Sequence, residues 1–398
     1  MWYQGLAGLS ALQILAVLAV FLHLTIVSVT LYLHRYSAHR SLQLNTAIKH
    51  LFRFWLWLTT GMSTKEWTAI HRKHHAQCET PQDPHSPVVV GLGKVFWQGT
   101  ELYKQANTPE TLEKYGKGTP DDWVEHHLYA KSALGISLML IIDILLFGAI
   151  GITVWAIQMI WIPLTAAGVI NGIGHAWGYR NFESPDAARN ILPWGVIIGG
   201  EELHNNHHTY PNSPKLSVKW WEFDIGWFWI RTLKLLGLAK VRSMGPLAIR
   251  VPGKRLIDID TTWATLNDRF NILAQYSKQV VFPLVNLEKS KTDRVGKKIL
   301  NRVKFLICRD QTASIVTKGK KPQADIRNLL AQHPNLERIY DMRKALQSIW
   351  QKGAQNINEM SQELQAWCLE AEASQIQALK DFADYLRSYS MPRANALH

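Results

Sequence analysis

The sequence predicts an all-α protein: an integral membrane helical bundle with a histidine-rich cytoplasmic domain, followed by a helical, basic C-terminal tail. Three features of the 398 residues lead to this expectation. Long apolar stretches occur before residue 175, histidine clusters lie beside them, and positive charge concentrates after residue 240. Residues 241–398 contain 25 Lys and Arg against 15 Asp and Glu, which is +10 of the chain's total of +13. We therefore expect a membrane domain at 1–240 and an accessory cytoplasmic region at 241–398.

Two apolar stretches predict the membrane spans. Residues 5–33 contain no formal charge, and as a helix they would be about 44 Å long, against about 30 Å of hydrocarbon. Residues 133–174 are long enough for two antiparallel spans, 133–150 and 152–174, joined near 147–151. Asp143 falls inside this hairpin, where it would either stabilise the hairpin or line a cavity.

Whether the segment 42–62 spans the membrane determines which histidine clusters can lie on the same side and share a site. If it crossed the membrane, the clusters on either side of it would lie on opposite faces and could not share a site. Its charged residues Lys49 and Arg53 favour an interfacial amphipathic helix instead. Residues 65–131 contain eight Lys and Arg, whereas the 148–151 turn contains none, so the clusters are expected on the cytoplasmic side.

The histidines occur in patterns that predict metal binding. Two copies of HxxHH, at 71–75 and 204–208, place three imidazoles on one face of a helix each, so each box is expected to converge on one point. "HRYSAH", 34–39, adds two histidines about 140° apart on an ideal helix, so the chain must bend or the two must bind from different sides. "NGIGH", 171–175, adds an asparagine and a histidine. Nine imidazoles exceed the needs of one ion and imply two; imidazole suits zinc, copper, iron and nickel, and open positions for oxygen favour iron.

These motifs resemble those of the membrane fatty-acid desaturases, most closely the Δ9 acyl-CoA (stearoyl-CoA type) group in a bacterial form. The resemblance covers about residues 15–240 and rests on "HRYSAHRS", "EWTAIHRKHHAQCETPQDPHSP", "NGIGHAWGYRNF" and "EELHNNHHTYPNS". It implies a diiron catalytic domain, in which Asn171 reaches an iron through water. The histidine ligands that it implies are His34, His39, His71, His74, His75, His175, His204, His207 and His208.

This sequence departs from the animal members of that group in two ways. It has room for one span before the first histidine box, where they have two. They also carry Arg-Asp just before the second box, where the charges help to hold coenzyme A; here these positions are Ala69 and Ile70. Acyl-CoA is the expected carrier of the acyl chain, and a phospholipid is the alternative.

The resemblance implies an oxygen-dependent enzyme that introduces a cis double bond, expected at Δ9, into long-chain saturated acyl chains. Two external electrons are needed, and the chain shows neither a dinucleotide-binding GxGxxG after a strand nor a four-cysteine cluster motif. A ferredoxin or a cytochrome b5-like donor with an NAD(P)H reductase is therefore the expected partner, at a bacterial inner membrane. No catalytic residue beyond the metal ligands is expected. The alternatives are a related hydroxylase and a membrane metal transporter.

The tail has different features. Residues 326–353 and 357–390 show apolar residues at three-to-four spacing, which predicts helices. The basic stretch "KSKTDRVGKKILNRVKFLICR" would suit nucleic acid or anionic lipid. Part of the tail weakly resembles the helical portion of bacterial transposases, but without an evident set of catalytic carboxylates, so nucleic acid is not the expected partner.

Overall fold

The computed structural model describes residues 5–245, 248–316, 330–353 and 356–392. The chain divides into two compact units, Met1–Arg180 with Asp186–Gly245, and Asn181–Pro185 with Pro246–His398. Both are mainly helical, so the expected helical fold is confirmed. The first unit ends at Gly245, near the expected boundary at 240, but the short segment Asn181–Pro185 belongs to the second unit. The proposed division of roles between 1–240 and 241–398 stays a prediction.

The first unit contains helices of very different lengths. They are α1 (Ala11–Ser28), α2 (Thr46–Thr59), α3 (Thr64–Gln77), α4 (Pro87–Val90), α5 (Leu92–Trp97), α6 (Gly99–Ala106), α7 (Pro109–Tyr115), α8 (Ser132–Phe147), α9 (Gly151–Ile162), α10 (His204–Thr209) and α11 (Ile225–Leu235). Among the described residues, two helical stretches have the length and apolar composition of membrane spans, Ala11–Ala38 and Ser132–His175.

The first of these stretches is α1 and its continuation. Ser10 begins α1 with a capping box, in which its side chain accepts a hydrogen bond from the Gln13 N–H and the Gln13 side chain accepts one from the Ser10 N–H. The helix then widens into a π-helix over Val29–Ala38. This continuation carries the chain from the apolar segment directly to the first histidines.

The second stretch folds back on itself. Gly148 has a φ of +67°, and at Gly151 an added Cβ would lie 2.1 Å from the Asp143 carbonyl oxygen, so this turn needs glycine. α8 and α9 then pack against each other, and Gln158 Nε2 donates to Asp143 Oδ2 at 2.8 Å. Asp143 is 0% exposed. Of the two roles considered for Asp143, stabilisation of the hairpin is the one that its contact favours.

α2 occupies the segment expected to lie at the membrane interface. Its 14 residues are about 21 Å long, too short to cross about 30 Å of hydrocarbon. The guanidinium of Arg53 is buried and forms ion pairs with Asp122 and Glu125, both at 2.7 Å. These ion pairs fix the 122–129 segment beside α2. The interfacial position of this helix stays a prediction.

Short strand pairs close the first unit. β1 (Leu42–Leu44) runs antiparallel to β4 (Ala239–Val241), and β2 (Trp194–Gly195) runs parallel to β3 (Phe223–Asp224). Asp224 caps α11 and also binds the buried Arg35, whose Nη2 lies 2.9 Å from its Oδ1. The end of the first long helix is thereby tied to the segment after α10.

In its described residues, the second unit is a helical bundle with one strand pair. Its helices are α12 (Ile259–Asn267), α13 (Arg269–Tyr276), α14 (Phe282–Ser290), α15 (Arg294–Val316), α16 (Pro334–Gln351), α17 (Ile357–Ala373) and α18 (Gln377–Arg387). β5 (Ile249–Arg250) pairs antiparallel with β6 (Tyr389–Ser390). The single helix expected over 357–390 is wrong, because it is broken at Gln375, whose φ is +58°. Residues 326–329 of the other expected helix lie outside the described residues.

Candidate metal centre

The histidines of the sequence motifs come together in the first unit from four places. His34 lies in the π-helical continuation of α1, and His39 follows its end. α3 supplies His71, His74 and His75, and α10 supplies His204, His207 and His208. His175 ends the turn Ile173–His175 after the second apolar stretch.

The nine histidines form two groups. In each, one nitrogen of every member lies within 4.8 Å of one nitrogen of every other. The first group consists of His34, His39, His71, His75 and His207. The second consists of His74, His175, His204 and His208.

The five-residue spacing of His34 and His39 is explained by the widened helix. In a π-helix the hydrogen bonds run from residue i to i+5, so residues five apart come close to one face. The His39 N–H donates to the His34 carbonyl oxygen at 3.0 Å, which is this pattern. Both histidines therefore join the same group. The expectation that the chain must bend, or that the two bind from different sides, is wrong because it assumed an ideal α-helix.

The two HxxHH boxes are divided between the groups, contrary to the expectation that each box converges on one point. His71 and His75 belong to the first group and His74 to the second. The HxxHH box at 204–208 is divided in the opposite sense. Its His204 and His208 belong to the second group, and its His207 belongs to the first. Around a helix axis, the last histidine of each box lies about 40° to one side of the first, and the middle histidine lies about 60° to the other side. A helix that passes between two metal sites can therefore contribute ligands to both.

The nitrogen–nitrogen distances match a shared coordination sphere. The Nε2 atom of His207 lies 3.0 Å from that of His34 and 2.9 Å from that of His75. In the second group, the Nε2 atoms of His175 and His204 are 3.0 Å apart. Neighbouring nitrogens that each lie about 2.1 Å from one ion are about 3.0–3.4 Å apart.

Carboxylates hold the far side of several imidazoles. The Nδ1 atoms of His34, His74, His175 and His208 lie 2.8, 2.9, 2.9 and 3.1 Å from carboxylate oxygens of Glu201, Asp83, Glu79 and Asp186. A neutral imidazole that donates its Nδ1–H to a carboxylate keeps its lone pair on Nε2. Nε2 atoms that face each other at about 3 Å have the spacing of neighbouring ligands of one ion, so these residues fit a metal centre.

An unpartnered nitrogen supports the same conclusion. The Nε2 atom of His208, whose Nδ1 lies beside Asp186, is buried and has no hydrogen-bond partner in the described part of the chain. Buried polar atoms normally have a partner, since leaving one without costs about 1–3 kcal/mol. An ion bound at the second group would supply that partner for His208.

Burial also keeps most of the imidazoles neutral, as metal ligation requires. It lowers the pKa well below the ordinary value for His39, His71, His75, His204, His207 and His208. His74 differs: burial would lower its pKa, but the Asp83 carboxylate raises it above the ordinary value. Burial would raise the pKa of Asp83, but His74 beside it lowers it, so Asp83 stays ionised.

An apolar pocket lies against both histidine groups. It is lined by His34, His71 and His204 together with Ile26, Val29, Thr30, Trp67, Ile70, His85, Gly99, Tyr103, Ile162, Ala166, Ala167, Ile170, Asn171, Ile198 and Glu201. Asn171 thus lines the pocket beside His34, His71 and His204. Trp177 and Tyr179, which flank the "NGIGH" motif, are not among the lining residues of this described pocket, and Tyr179 donates to Glu222 at 2.8 Å.

Two kinds of residue at this site were not predicted from the sequence. His85 is buried, stacks on His74 with ring centroids 4.4 Å apart, and lines the pocket. The carboxylates behind the imidazoles were missed as well. Their signal was the acidic residues inside the quoted motifs, such as Asp83 in "PQDPHSP" and Glu201 just before the third box. His23, in contrast, accepts a hydrogen bond from Trp229 Nε1 at 2.9 Å, so it is a bundle-facing polar residue.

Comparison with known proteins agrees with this geometry. A family model described as fatty acid desaturase matches residues 11–232, more than half of the chain. The chain belongs to the fatty acid desaturase family. A second model, described as transposase, matches residues 264–397. The first match contains every histidine of the two groups, and the second lies entirely in the C-terminal unit.

Several curated desaturases are similar to this chain. A probable chloroplastic lipid desaturase of Arabidopsis thaliana is 31% identical over 236 residues, 58% of this chain and 63% of that protein. An sn-1 stearoyl-lipid 9-desaturase of Synechocystis is 30% identical over 225 residues, 55% and 68% of the two chains. An sn-2 palmitoyl-lipid 9-desaturase of Nostoc is 31% identical over 235 residues, 56% and 79%. The match to the Arabidopsis protein spans less than two thirds of its length.

The names of these relatives specify lipid-linked acyl chains, whereas the sequence predicted the acyl-CoA group. Ala69 and Ile70 replace the charged pair that would help to hold coenzyme A, and their exposed fractions are 0% and 2%. These two positions are therefore inside the first unit and present no surface to a soluble headgroup. The acyl-CoA type stays a prediction.

Proposed function

We propose that this protein is an oxygen-dependent desaturase that introduces a cis double bond, at Δ9, into long-chain saturated acyl chains. The observation that carries the proposal is the pair of histidine groups beside an apolar pocket. Each group brings four or five imidazole nitrogens close enough for one ion, and the pocket suits an apolar chain. Membership of the fatty acid desaturase family supports the same reaction.

The ligands of one iron would come from His34, His39, His71, His75 and His207, and those of the other from His74, His175, His204 and His208. Asn171 would hold a water at the pocket beside them. Bound there, two irons supply the oxidation of an unactivated methylene by dioxygen. Imidazoles alone do not select iron over zinc, so metal identity needs its own measurement.

The chain's own residues position the reactants. The aliphatic side chains of the pocket, such as Ile70, Ile162 and Ile170, bind the acyl chain and exclude water. Asp83 and Glu79 hold the Nδ1–H groups of His74 and His175, which keeps each Nε2 lone pair directed at the centre. One hydrogen leaves each of two adjacent carbons, and dioxygen takes these hydrogens with two external electrons and two protons to form two waters.

The carrier that we propose is a membrane lipid, with acyl-CoA as the alternative. Two observations favour the lipid. The relatives with printed substrates act on lipid-linked chains, and the positions of the charged pair are occupied by the buried Ala69 and Ile70. A lipid needs no charged clamp, because the bilayer already presents its acyl chain.

The protein would work in a bacterial inner membrane as a multi-pass protein, with its histidine centre on the cytoplasmic side. Ala11–Ala38 and the hairpin within Ser132–His175 are the segments proposed to span it. A ferredoxin or a cytochrome b5-like protein with an NAD(P)H reductase would supply the electrons.

Expression in a host that cannot make unsaturated acyl chains tests the reaction. The protein should produce monounsaturated lipids with the bond at Δ9, and the variant His204→Ala should produce none. His126→Ala is the matched control, because His126 is exposed and paired with Asp121 outside both groups. Hydroxylated chains in place of unsaturated ones would favour the hydroxylase alternative, and unchanged lipids with metal uptake would favour a transporter.

The carrier is tested separately in membranes reconstituted with an electron donor. Labelled stearoyl phospholipid and labelled stearoyl-CoA are offered in parallel. Desaturation of the phospholipid in the absence of coenzyme A is the expected result. Turnover of stearoyl-CoA alone would overturn the lipid assignment and leave the desaturase assignment intact.

A further inference from the structure

Helix α15 of the second unit has one face in the core and one face in solvent. Leu300, Val303 and Ile307 are buried in the apolar core of the unit. The opposite face, over residues 294–305, exposes Arg294, Lys297, Lys298 and Arg302. The desaturase assignment gives this exposed face no role.

These four cations have no ion-pair partner within the described residues. Asp293, the acid at the start of the helix, accepts the Gly296 N–H at 2.8 Å and so acts as a cap. Other basic residues nearby are engaged: Lys291 pairs with Glu288 at 3.1 Å, and Lys304 lies over the Phe282 ring. The face is therefore a concentrated positive patch, distinct from its paired neighbours.

Large apolar side chains are exposed between the cations. Val295 is 64% exposed, Ile299 is 40% exposed and Phe305 is 48% exposed. Val295 and Ile299 are one turn apart on the same edge, and Arg302 continues that edge. Exposed aliphatic and aromatic side chains next to basic residues are not needed for solubility, and such exposed apolar groups can mark an interaction surface.

We propose that this face of α15, residues 294–305, docks on an anionic phospholipid surface. Lys and Arg are attracted to anionic headgroups, and small apolar groups between them enter the boundary between headgroups and acyl chains. The alternative ligand is nucleic acid, since the transposase model covers this helix. Contacts to a phosphate backbone use cations but give no role to Val295 and Ile299, so the lipid surface accounts for more of the face.

The chain itself places such a surface within reach. The first unit carries two stretches with the length and composition of membrane spans, and the second unit is covalently joined to it. The inference therefore rests on the membrane location proposed above. A tethered, weakly binding face needs little intrinsic affinity, because the tether raises its effective concentration at the bilayer.

Hydrogen exchange of the full-length protein in lipid nanodiscs tests the proposal. The exchange of peptides covering 294–305 is compared in phosphatidylcholine discs, in discs that also contain phosphatidylglycerol, and in phosphatidylcholine discs with a short duplex DNA. We expect exchange about tenfold slower in the anionic discs only. Peptides from α16 report whether the unit remains folded.

Two triple charge reversals complete the test. Arg294→Glu with Lys298→Glu and Arg302→Glu should abolish the protection. The matched control, Arg255→Glu with Lys278→Glu and Lys380→Glu, makes the same change of charge elsewhere in the unit and should retain it. Equal exchange in both lipids, protection that survives the α15 reversal, or protection by DNA alone would each overturn the lipid proposal.

Discussion

The two compact units differ in the polar side chains that they bury beside their apolar cores. The centre of the first unit holds nine histidines with acidic residues behind them. The second unit is built around an apolar core with side chains such as Leu346, Trp367 and Phe382. Its buried Arg343 forms an ion pair with Glu183 and donates to the Leu273 carbonyl oxygen at 3.1 Å.

This difference implies that the two units depend on a bound metal to different extents for their stability. Apolar burial stabilises the second unit without any ligand. The histidine centre of the first unit is costly on its own, because buried imidazole nitrogens face each other or have no partner. Metal binding would remove that cost, so the order of the site and its metal should be coupled.

The largest difference between the two units is expected when the metal is removed. Treatment of the purified protein with a strong iron chelator should speed hydrogen exchange in α3 and α10 about a hundredfold, because the imidazoles lose their common partner. Exchange in α16–α18 should not change. Equal exchange in α3 and α10 before and after chelation would show that the centre is ordered without metal.

Replacing a carboxylate that hydrogen-bonds to a ligand imidazole should reduce activity and iron retention less than replacing a ligand, but more than replacing an exposed acidic residue. Asp83 accepts the Nδ1–H of His74 at 2.9 Å and the N–H of Glu79 at 2.8 Å. Asp83→Asn should lower desaturation and iron retention about 10- to 100-fold. Asp121→Asn is the control, because Asp121 is exposed. Equal activities of the two variants would remove Asp83 from the supporting shell.

A core truncation in the second unit should affect stability and not chemistry. Leu346 is fully buried, so Leu346→Ala should destabilise this unit by about 2–5 kcal/mol in urea unfolding. Leu369→Ala, at an exposed position, should cost far less. The double-bond position should be the same in both variants and in wild type. A shifted double bond in Leu346→Ala would show that the C-terminal unit shapes the acyl pocket.

The smallest expected effect is at a helix cap. Asp258 accepts the Thr261 N–H at 2.7 Å and binds Lys254, so Asp258→Ala should cost the second unit about 1 kcal/mol at pH 7. Partial burial would raise the pKa of Asp258, but Lys254 and Thr261 lower it below the ordinary value. Its contribution is therefore present above about pH 4 and lost as the pH falls through the lowered pKa. A difference between variant and wild type that persists at pH 2 would contradict this role.

The sequence predicted the helical fold and which histidines come together, because apolar length and motif spacing are local properties. It did not predict how the histidines are divided. The π-helix over Val29–Ala38 depends on hydrogen bonds that no residue type specifies, and it decides that His34 and His39 share a group. The splitting of each HxxHH box depends on where α3 and α10 pack, which is a tertiary property.

Other differences have the same origin. The ion pairs of the buried Arg53 with Asp122 and Glu125, which are distant in sequence, were not predicted. The segment Asn181–Pro185 joins the second unit although it lies inside the first in sequence, which no composition shift indicates. Long-range pairing of this kind is invisible to periodicity.

The metal content of the purified protein tests the central claim most directly. Protein from iron-replete cells should contain about two irons per chain, because the nine imidazoles form two groups that each suit one ion. Recovery of a single zinc and no iron from the same cells would contradict the diiron desaturase assignment.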